Sequence, residues 1–338
     1  MLNPVMTIVM DGVTVGILGV GAYVINQGRS DYAAISSFST LAVQIVMSFM
    51  MLLMMFVLWP RASVSAKRIN ELLATETSIQ DPEKEAALSS IGEIEFKDVS
   101  FQYPDGEKPI ISHLSFHAKA GKTIAIIGAT GCGKSSLVNL ISRLYDVTSG
   151  EIRIDGANIK DIKQKTLRSK IGFVPQKGVL FSGTVASNIS FGVDSLSEEK
   201  MKRVADITCA SSFIEEMPEK YNAPIAQGGT NVSGGQKQRI CIARALAIDP
   251  EIMVFDDSFS ALDFKTDLQV RENIKKFLPK VTKIIVAQRI GTIMDADEII
   301  VMENGQVVGQ GKHKDLLHAC LTYRDIALSQ LSKEELGL

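Results

Sequence analysis

The sequence predicts two membrane-spanning helices followed by an α/β domain with a parallel core, an antiparallel β subdomain and a helical subdomain. Two long, mostly apolar stretches at residues 4–25 and 35–58 indicate the membrane part. A glycine-rich loop at 128–133, between a short apolar strand and a helix, indicates the parallel core. The 338 residues are 46% hydrophobic, with a mean hydropathy of +0.14, which is high for a soluble protein.

The two apolar stretches are predicted to form a helical hairpin. The first is broken by one acidic residue, Asp11, and the second carries no charge, so each is long enough to span a bilayer. Arg61 and two further basic residues follow the second stretch and place that end in the cytoplasm by the positive-inside rule. No basic leader with a small-residue cleavage site is evident, so we expect no cleavable signal peptide.

Residues 75–90 are predicted to be an exposed linker, because they are charged and contain Asp81-Pro82. The second domain then begins near Ile91. Alternating β residues at 94–101, with a strand and turn at 150–156, predict an antiparallel sheet beside the parallel core.

Residues 128–135 form a complete phosphate-binding loop after the strand at 123–127, and a helix is predicted over 134–144. Glycines let such a loop close around an anion, so that main-chain amides and the helix N-terminus face the phosphates. Lys134 supplies a positive charge and Ser135 a ligand for Mg²⁺. We therefore predict that ATP and Mg²⁺ bind here, and the predicted binding residues are Gly128, Thr130, Gly131, Cys132, Gly133, Lys134, Ser135 and Ser136.

A second buried strand, at 251–256, ends in Asp256, which is predicted to hold Mg²⁺ through water. The alternative is a strand that simply ends in a solvated acid. A further segment opens an Ala/Ile-rich helix with a serine and two bare glycine amides, which predicts a second anion-binding surface. Its residues are Ser233, Gly234, Gly235 and Gln236.

Together these motifs resemble the ATP-binding-cassette (ABC) exporters of the multidrug and lipid type over nearly the whole chain. The second anion site matches the family's Leu-Ser-Gly-Gly-Gln signature, with Val232 in place of leucine. The resemblance implies a P-loop ATPase cassette that pairs head to tail with another, so that each signature caps ATP in the other's loop. It also implies that the N-terminal helices are the fifth and sixth of six, so the chain would be truncated or one piece of a split subunit.

The resemblance assigns roles to further residues. Tyr103 matches the aromatic that stacks on adenine, although an ordinary half-buried strand tyrosine is the alternative. Gln176 matches the Q-loop glutamine, which contacts Mg²⁺ and senses the membrane domain. Asp263, in Ser260-Ala261-Leu262-Asp263, matches the D-loop aspartate that communicates between two ATP sites.

Two catalytic positions depart from the family pattern. Asp257 replaces the glutamate that polarises the attacking water, and Gln288 replaces the switch histidine that contacts the γ-phosphate. An aspartate holds its carboxylate about 1.5 Å further back, and glutamine can carry neither a positive charge nor a shuttled proton. We expect a degenerate site that hydrolyses ATP slowly, completed by a non-identical partner. The alternative is a slow homodimer. Residues 226–228, Ala-Gln-Gly, also lack the family's Gly-Glu-Arg.

The remaining stretches complete the predicted architecture. Residues 167–210 should form a helical arm, residues 299–302 and 307–308 two closing strands, and residues 314–338 a solvated helical tail. The predicted domains are a partial transmembrane domain at 1–74, the linker at 75–90, an ABC nucleotide-binding domain at 91–330 and a C-terminal tail at 331–338. The four cysteines lack metal-ligand spacing, and Cys132 alone is predicted to react near bound ATP.

These features predict a multi-pass protein of the cell membrane, with its cassette in the cytoplasm. The expected partners are a second ABC half-transporter subunit, membrane lipid and an exported small molecule, lipid or peptide. Nucleic acid is not expected, because a net charge of −2 gives no basic field. Two alternatives remain: a soluble ABC ATPase of DNA repair or chromosome organisation, and a truncated remnant that does not transport.

Overall fold

The computed structural model describes residues 2–336, which fall into two compact units that meet in sequence at Ser78 and Ile79. The first unit contains α1 (Leu2–Asn26) and α2 (Tyr32–Leu73), and both helices are long and apolar enough to cross a membrane. Asp31 caps α2, because its carboxylate accepts a hydrogen bond from the Ala34 amide at 2.8 Å. The two predicted apolar helices are therefore confirmed.

The second unit is an α/β domain. Its strands are β1 (Ile94–Phe101), β2 (Ile111–Ala118), β3 (Thr123–Gly128), β4 (Ser149–Ile154), β5 (Ala157–Asn158), β6 (Ile171–Val174), β7 (Gly183–Thr184), β8 (Pro224–Ile225), β9 (Ile252–Asp256), β10 (Thr282–Val286), β11 (Glu298–Glu303) and β12 (Gln306–Gly311). Its helices are α3 (Lys134–Ile141), α4 (Gln164–Ser169), α5 (Val185–Ile189), α6 (Glu198–Ile207), α7 (Ser211–Ile214), α8 (Gly234–Ala247), α9 (Phe264–Phe277), α10 (Ile290–Ile293), α11 (His313–Ala319), α12 (Leu321–Leu328) and α13 (Lys333–Leu336). Met1, Gly337 and Leu338 lie outside the described residues.

A six-stranded sheet, in the order β12-β11-β3-β10-β9-β6, forms the centre of this unit. All of its pairs are parallel except β11–β12. The second predicted sheet is also present, as the antiparallel order β2-β1-β4-β5. Successive residues of β3 face opposite sides, so that Ile124 and Ile126 pack with the antiparallel sheet, while Ala125 and Ile127 pack with the helices. The central sheet thus has a hydrophobic core on each face.

Two predicted helical segments differ in the structure. The start of the predicted arm at 167–210 is wrong, because Ile171–Val174 is β6 of the central sheet. The helix after the glycine loop ends at Ile141 rather than at 144. Arg143 adopts a left-handed φ of 47°, and its buried guanidinium donates hydrogen bonds to main-chain carbonyls, including those of Ile159 and Lys160 at 3.3 Å. These carbonyls belong to a segment distant in sequence, so the residues around Arg143 do not indicate that the helix ends at Ile141.

The predicted exposed linker is packed on the second unit over its later part. Arg143 also donates to the Gln80 carbonyl at 3.1 Å, and the Ala86 and Ser89 amides donate to the carbonyls of Asp161 and Asp155 at 2.9 and 2.8 Å. These bonds are between residues far apart in sequence, so composition alone does not predict them. Of the stretch 75–90, the residues from Ile79 onward belong to the second unit.

The segment 314–338, which was predicted to be a solvated helical tail, is helical over its described part but is not solvated. Leu316 and Leu317 of α11 are each 3% exposed, and Tyr323 of α12 is fully buried. The Tyr323 hydroxyl and His313 Nδ1 are hydrogen-bonded at 2.6 Å. The tail covers the helix-lined face of the central sheet and is part of its core.

Candidate functional site

The carboxyl ends of four parallel strands bring the predicted site residues to one edge of the central sheet. β3 leads into the glycine loop, β9 into Asp256 and Asp257, β6 toward Gln176 and β10 toward Gln288. Side chains that follow neighbouring parallel strands meet in this way at ligand sites of α/β domains. They surround a cavity of about 290 Å³, lined by Tyr103, Ile110, Thr130, Gly131, Gly133, Lys134, Ser135, Ser136, Gln176, Asp256, Asp257, Val286 and Gln288.

The glycine loop adopts backbone angles that other residues rarely tolerate. Gly131 and Gly133 have φ of 84° and 102°, and Gly133 is the N-cap of α3. Gly128 is needed for a different reason, because a Cβ there would overlap the Met302 carbonyl oxygen and lie 2.7 Å from Cys132 Sγ. The loop therefore lies tightly against β11, while Thr130, Gly131 and Gly133 and the first turn of α3 line the cavity.

We expect Gly128→Ala to destabilise the domain by at least about 2 kcal/mol, because the added Cβ would overlap main-chain atoms that cannot move aside as a flexible side chain can. Denaturant unfolding of the full chain would measure this change. Gly131→Ala is the matched control, since no atom of residues 2–336 other than its chain neighbours lies within 4 Å of a Cβ there and the change is opposed by the left-handed φ. Equal stability of both variants would contradict the close-packing argument.

Lys134, Ser135 and Asp256 meet on the floor of the cavity. The Lys134 ammonium donates to the Gly128 and Ala129 carbonyls at 2.8 and 2.7 Å, and this residue is 8% exposed. The Ser135 hydroxyl donates to Asp256 Oδ1 at 3.2 Å. Burial raises the pKa of the Asp256 carboxyl above its usual value, and a cation beside it would stabilise the ionised carboxylate. A hydroxyl beside a buried carboxylate fits Mg²⁺, which prefers oxygen ligands.

Asp257 is held by two amides in an arrangement that we call the Asp257 clamp, formed by the side chains of Gln176 and Gln288. Gln176 Nε2 donates to Asp257 Oδ2 at 3.1 Å, and Gln288 Nε2 donates to the same oxygen at 2.8 Å. Burial raises the pKa of the Asp257 carboxyl, while the bond from Gln176 lowers it. The three residues predicted to be catalytic thus form one connected group.

Tyr103 contacts both α3 and a second tyrosine. Its hydroxyl is 2.9 Å from the Ser136 hydroxyl, and its ring packs edge-on against Tyr145, with centroids 5.0 Å apart. It lines the cavity together with Ile110. Ile110 and Val286 were missed by the sequence analysis, because an apolar residue at a strand end carries no nucleotide-binding signature.

The signature residues form a separate, exposed surface. Ser233 caps α8, because its hydroxyl accepts from the Gln236 amide at 3.2 Å while its own amide donates to Gln236 Oε1 at 2.9 Å. Ser233 and Gly234 are exposed, and none of the four signature residues lines the cavity. The structure therefore does not bring the chain's two predicted phosphate-binding surfaces together.

The sequence predicts that the Cys132 thiol reacts at the ATP site, whereas the structure buries this residue. Its residue is 6% exposed and packs beneath Gly128. We expect a maleimide to modify it at least about tenfold more slowly than a cysteine introduced at the exposed Gln269, with ATP having little effect. Mass spectrometry of labelled peptides would measure both rates. Rapid Cys132 labelling that ATP blocks would restore the original expectation.

Comparison with known proteins places this site in a family context. The profile described as ABC transporter matches residues 111–260. An ABC transporter ATP-binding protein of Mycobacterium tuberculosis (strain ATCC 25618 / H37Rv) is 38% identical over 342 residues, covering 100% of this chain and 58% of its own length. An ATP-dependent lipid A-core flippase of Desulfotalea psychrophila is 39% identical over 254 residues, covering 75% of this chain and 44% of its own length.

A solved structure gives a similar result. A bacterial Atm1-family ABC exporter with ATP bound matches with a TM-score of 0.84 and 31% identity, over 96% of this chain and 57% of that one. The chain therefore spans somewhat more than half the length of the mycobacterial relative and of this exporter chain.

Proposed function

The chain belongs to the ABC transporter family through its ATP-binding domain, and on that premise we propose that it is the ATP-hydrolysing subunit of an exporter. The observation that carries the proposal is the meeting of Lys134, Ser135 and Asp256 at the carboxyl edge of a parallel sheet, in a chain with two helices able to cross a membrane. Cassette pairing on ATP would be coupled to movement of the membrane helices.

The side chains of the cavity suggest how ATP would be held. Main-chain amides of the loop and the Lys134 ammonium would bind its phosphates, and the Tyr103 ring would support the base. Ser135, Asp256 and Gln176 would hold Mg²⁺, which supplies charge neutralisation on the phosphate oxygens. Asp257 would orient the attacking water and accept its proton.

We further propose that this site is slow. The Asp257 carboxylate is one methylene shorter than a glutamate, and one of its oxygens already accepts two amide hydrogen bonds. Gln288 offers a neutral amide to the γ-phosphate, so it supplies no positive charge for the transition state. Slow turnover here would leave most hydrolysis to a second site.

That second site would use the signature residues Ser233 to Gln236, of which Ser233 and Gly234 are exposed. Their place at the N-terminus of the 14-residue α8 suits an anion presented by another cassette. We propose that the partner is a non-identical half-transporter with a glutamate and a histidine at the positions of Asp257 and Gln288. The lipid A-core flippase among the relatives supports a lipid or similar membrane-dissolved compound as the exported substrate. The assembly would lie in the cell membrane, with its cassettes in the cytoplasm.

Purification from the native membrane in mild detergent tests the proposal. We expect a stoichiometric second cassette subunit that carries the glutamate and histidine, and ATP hydrolysis by the complex. Recovery of this chain paired with itself would contradict the non-identical partner. Recovery without a membrane component or without ATP binding would contradict the exporter.

A further inference from the structure

Gln238, on α8 outside the site, holds the loop that carries Gln176. Its residue is 1% exposed, and its side-chain amide makes two hydrogen bonds to main chain. Nε2 donates to the Pro175 carbonyl at 3.0 Å, and Oε1 accepts from the Gly178 amide at 3.1 Å. These two groups lie on either side of Gln176, so Gln238 fixes the segment from which Gln176 reaches Asp257.

Gln330, just after α12, makes the same pair of bonds to the other loop. Its Nε2 donates to the Gln288 carbonyl, and its Oε1 accepts from the Ile290 amide, both at 2.8 Å. The two arms of the Asp257 clamp are thus each held by one further glutamine. The glutamine carboxamide donates and accepts at once, which neither an ionised glutamate nor a methionine of similar length can do.

The loop of Gln176 is also packed directly on α8. A Cβ at Gly178 would lie 2.8 Å from Gln238 Oε1 and 3.0 Å from Cys241 Sγ. Arg244, six residues beyond Gln238 on α8, donates to the Val179 carbonyl at 2.9 Å. Because the exposed signature residue Ser233 is the N-cap of α8, one helix carries both that surface and the support of Gln176.

We propose that Gln238 and Gln330 are positioning residues that aim the two amides of the Asp257 clamp. This role rests on the proposed ATP site. It adds a physical connection that runs from the signature surface through Gln238 to Asp257 of the same chain. Gln330, in the C-terminal segment, fixes the loop of Gln288 in the same way. Neither residue lines the cavity, so both act through the loops.

Replacing each glutamine with methionine tests the proposal, because methionine keeps the length but removes both hydrogen bonds. In the assembled transporter purified in detergent, we expect Gln238→Met and Gln330→Met each to lower the rate of the slow phase of single-turnover Mg-ATP hydrolysis about tenfold, with ATP affinity changed less than about twofold. Amide hydrogen exchange should quicken at 176–179 in the first variant only and at 286–291 in the second only. Gln269→Met is the matched control, since Gln269 is exposed and its side chain donates to Asn273 Oδ1 on the same helix, away from both loops.

A double-mutant cycle separates positioning from general destabilisation. In an Asp257→Asn background, neither methionine should slow hydrolysis further, because the group that it positions has been removed. Three results would overturn the inference. The methionine substitutions could slow hydrolysis further in the Asp257→Asn background, they could leave hydrolysis at the parent rate, or they could leave amide exchange unchanged at both loops. Gln330 is exposed, so Gln330→Met keeps the test decisive even if Gln238→Met does not fold. If the unsubstituted chain bound no ATP, the proposed function would be refuted instead. The exchange pattern would still show whether Gln238 and Gln330 fix the positions of the two loops.

Discussion

Lys134→Ala is expected to lower the affinity of the chain for ATP at least about 100-fold, which corresponds to about 2.8 kcal/mol. The Lys134 residue is 8% exposed, and its ammonium lies at the loop carbonyls of Gly128 and Ala129. A charge placed there is poorly screened by water and adjoins the position proposed for the phosphates. Its loss also removes the two bonds that hold the loop closed.

Equilibrium binding of a fluorescent ATP analogue to the purified full chain would measure the effect. Lys160→Ala is the control, because Lys160 is exposed and does not line the cavity. Thermal unfolding without nucleotide separates lost binding from lost folding. Retention of affinity within about threefold would place the phosphates elsewhere and would contradict the assignment of the loop.

The sequence predicted the floor of the site because its residues follow strand ends. Lys134 and Asp256 lie beside short runs of buried β residues, and parallel strands bring their carboxyl ends to one edge. The spacing of such residues along the chain is enough to place them together. Asp257 and Gln288 were singled out by the resemblance to ABC exporters, and the structure adds the direct hydrogen bond between them.

Features that depend on distant main chain were not predictable in this way. Gln330 bonds the main chain of residues 288 and 290, and any sequence supplies the same carbonyl and amide there. Arg143 similarly captures carbonyls from the segment after β5. The burial of Tyr323 depends on the surface that the tail covers, which periodicity within the tail does not reveal. The sequence therefore does not predict which side chains support the site by hydrogen bonding to distant main chain, and these were identified only in the structure.

The double substitution Asp257→Glu with Gln288→His is expected to speed hydrolysis at this site about 100-fold. The longer side chain moves the carboxylate forward by about 1.5 Å, toward the proposed position of the γ-phosphate. Histidine at 288 removes one of the two amide bonds to Asp257 Oδ2 and offers a ring that can carry a proton. Each single change should give a smaller gain, because the carboxylate and residue 288 are in direct contact.

Single-turnover hydrolysis by the assembled transporter measures this effect, since a slow site and a fast site give two phases. We expect the double variant to convert the slow phase into a fast one while the other phase keeps its rate. Asp249→Glu with Gln310→His is the matched control, because Asp249 has a left-handed φ of 53°, close to the 47° of Asp257, and both residues are exposed outside the cavity. This pair reproduces the backbone strain of a glutamate at such an angle without touching ATP. A slow phase that persists unchanged would mean that these two residues do not limit the site, and the cause of any slow turnover would then have to lie in the signature that the partner presents to it.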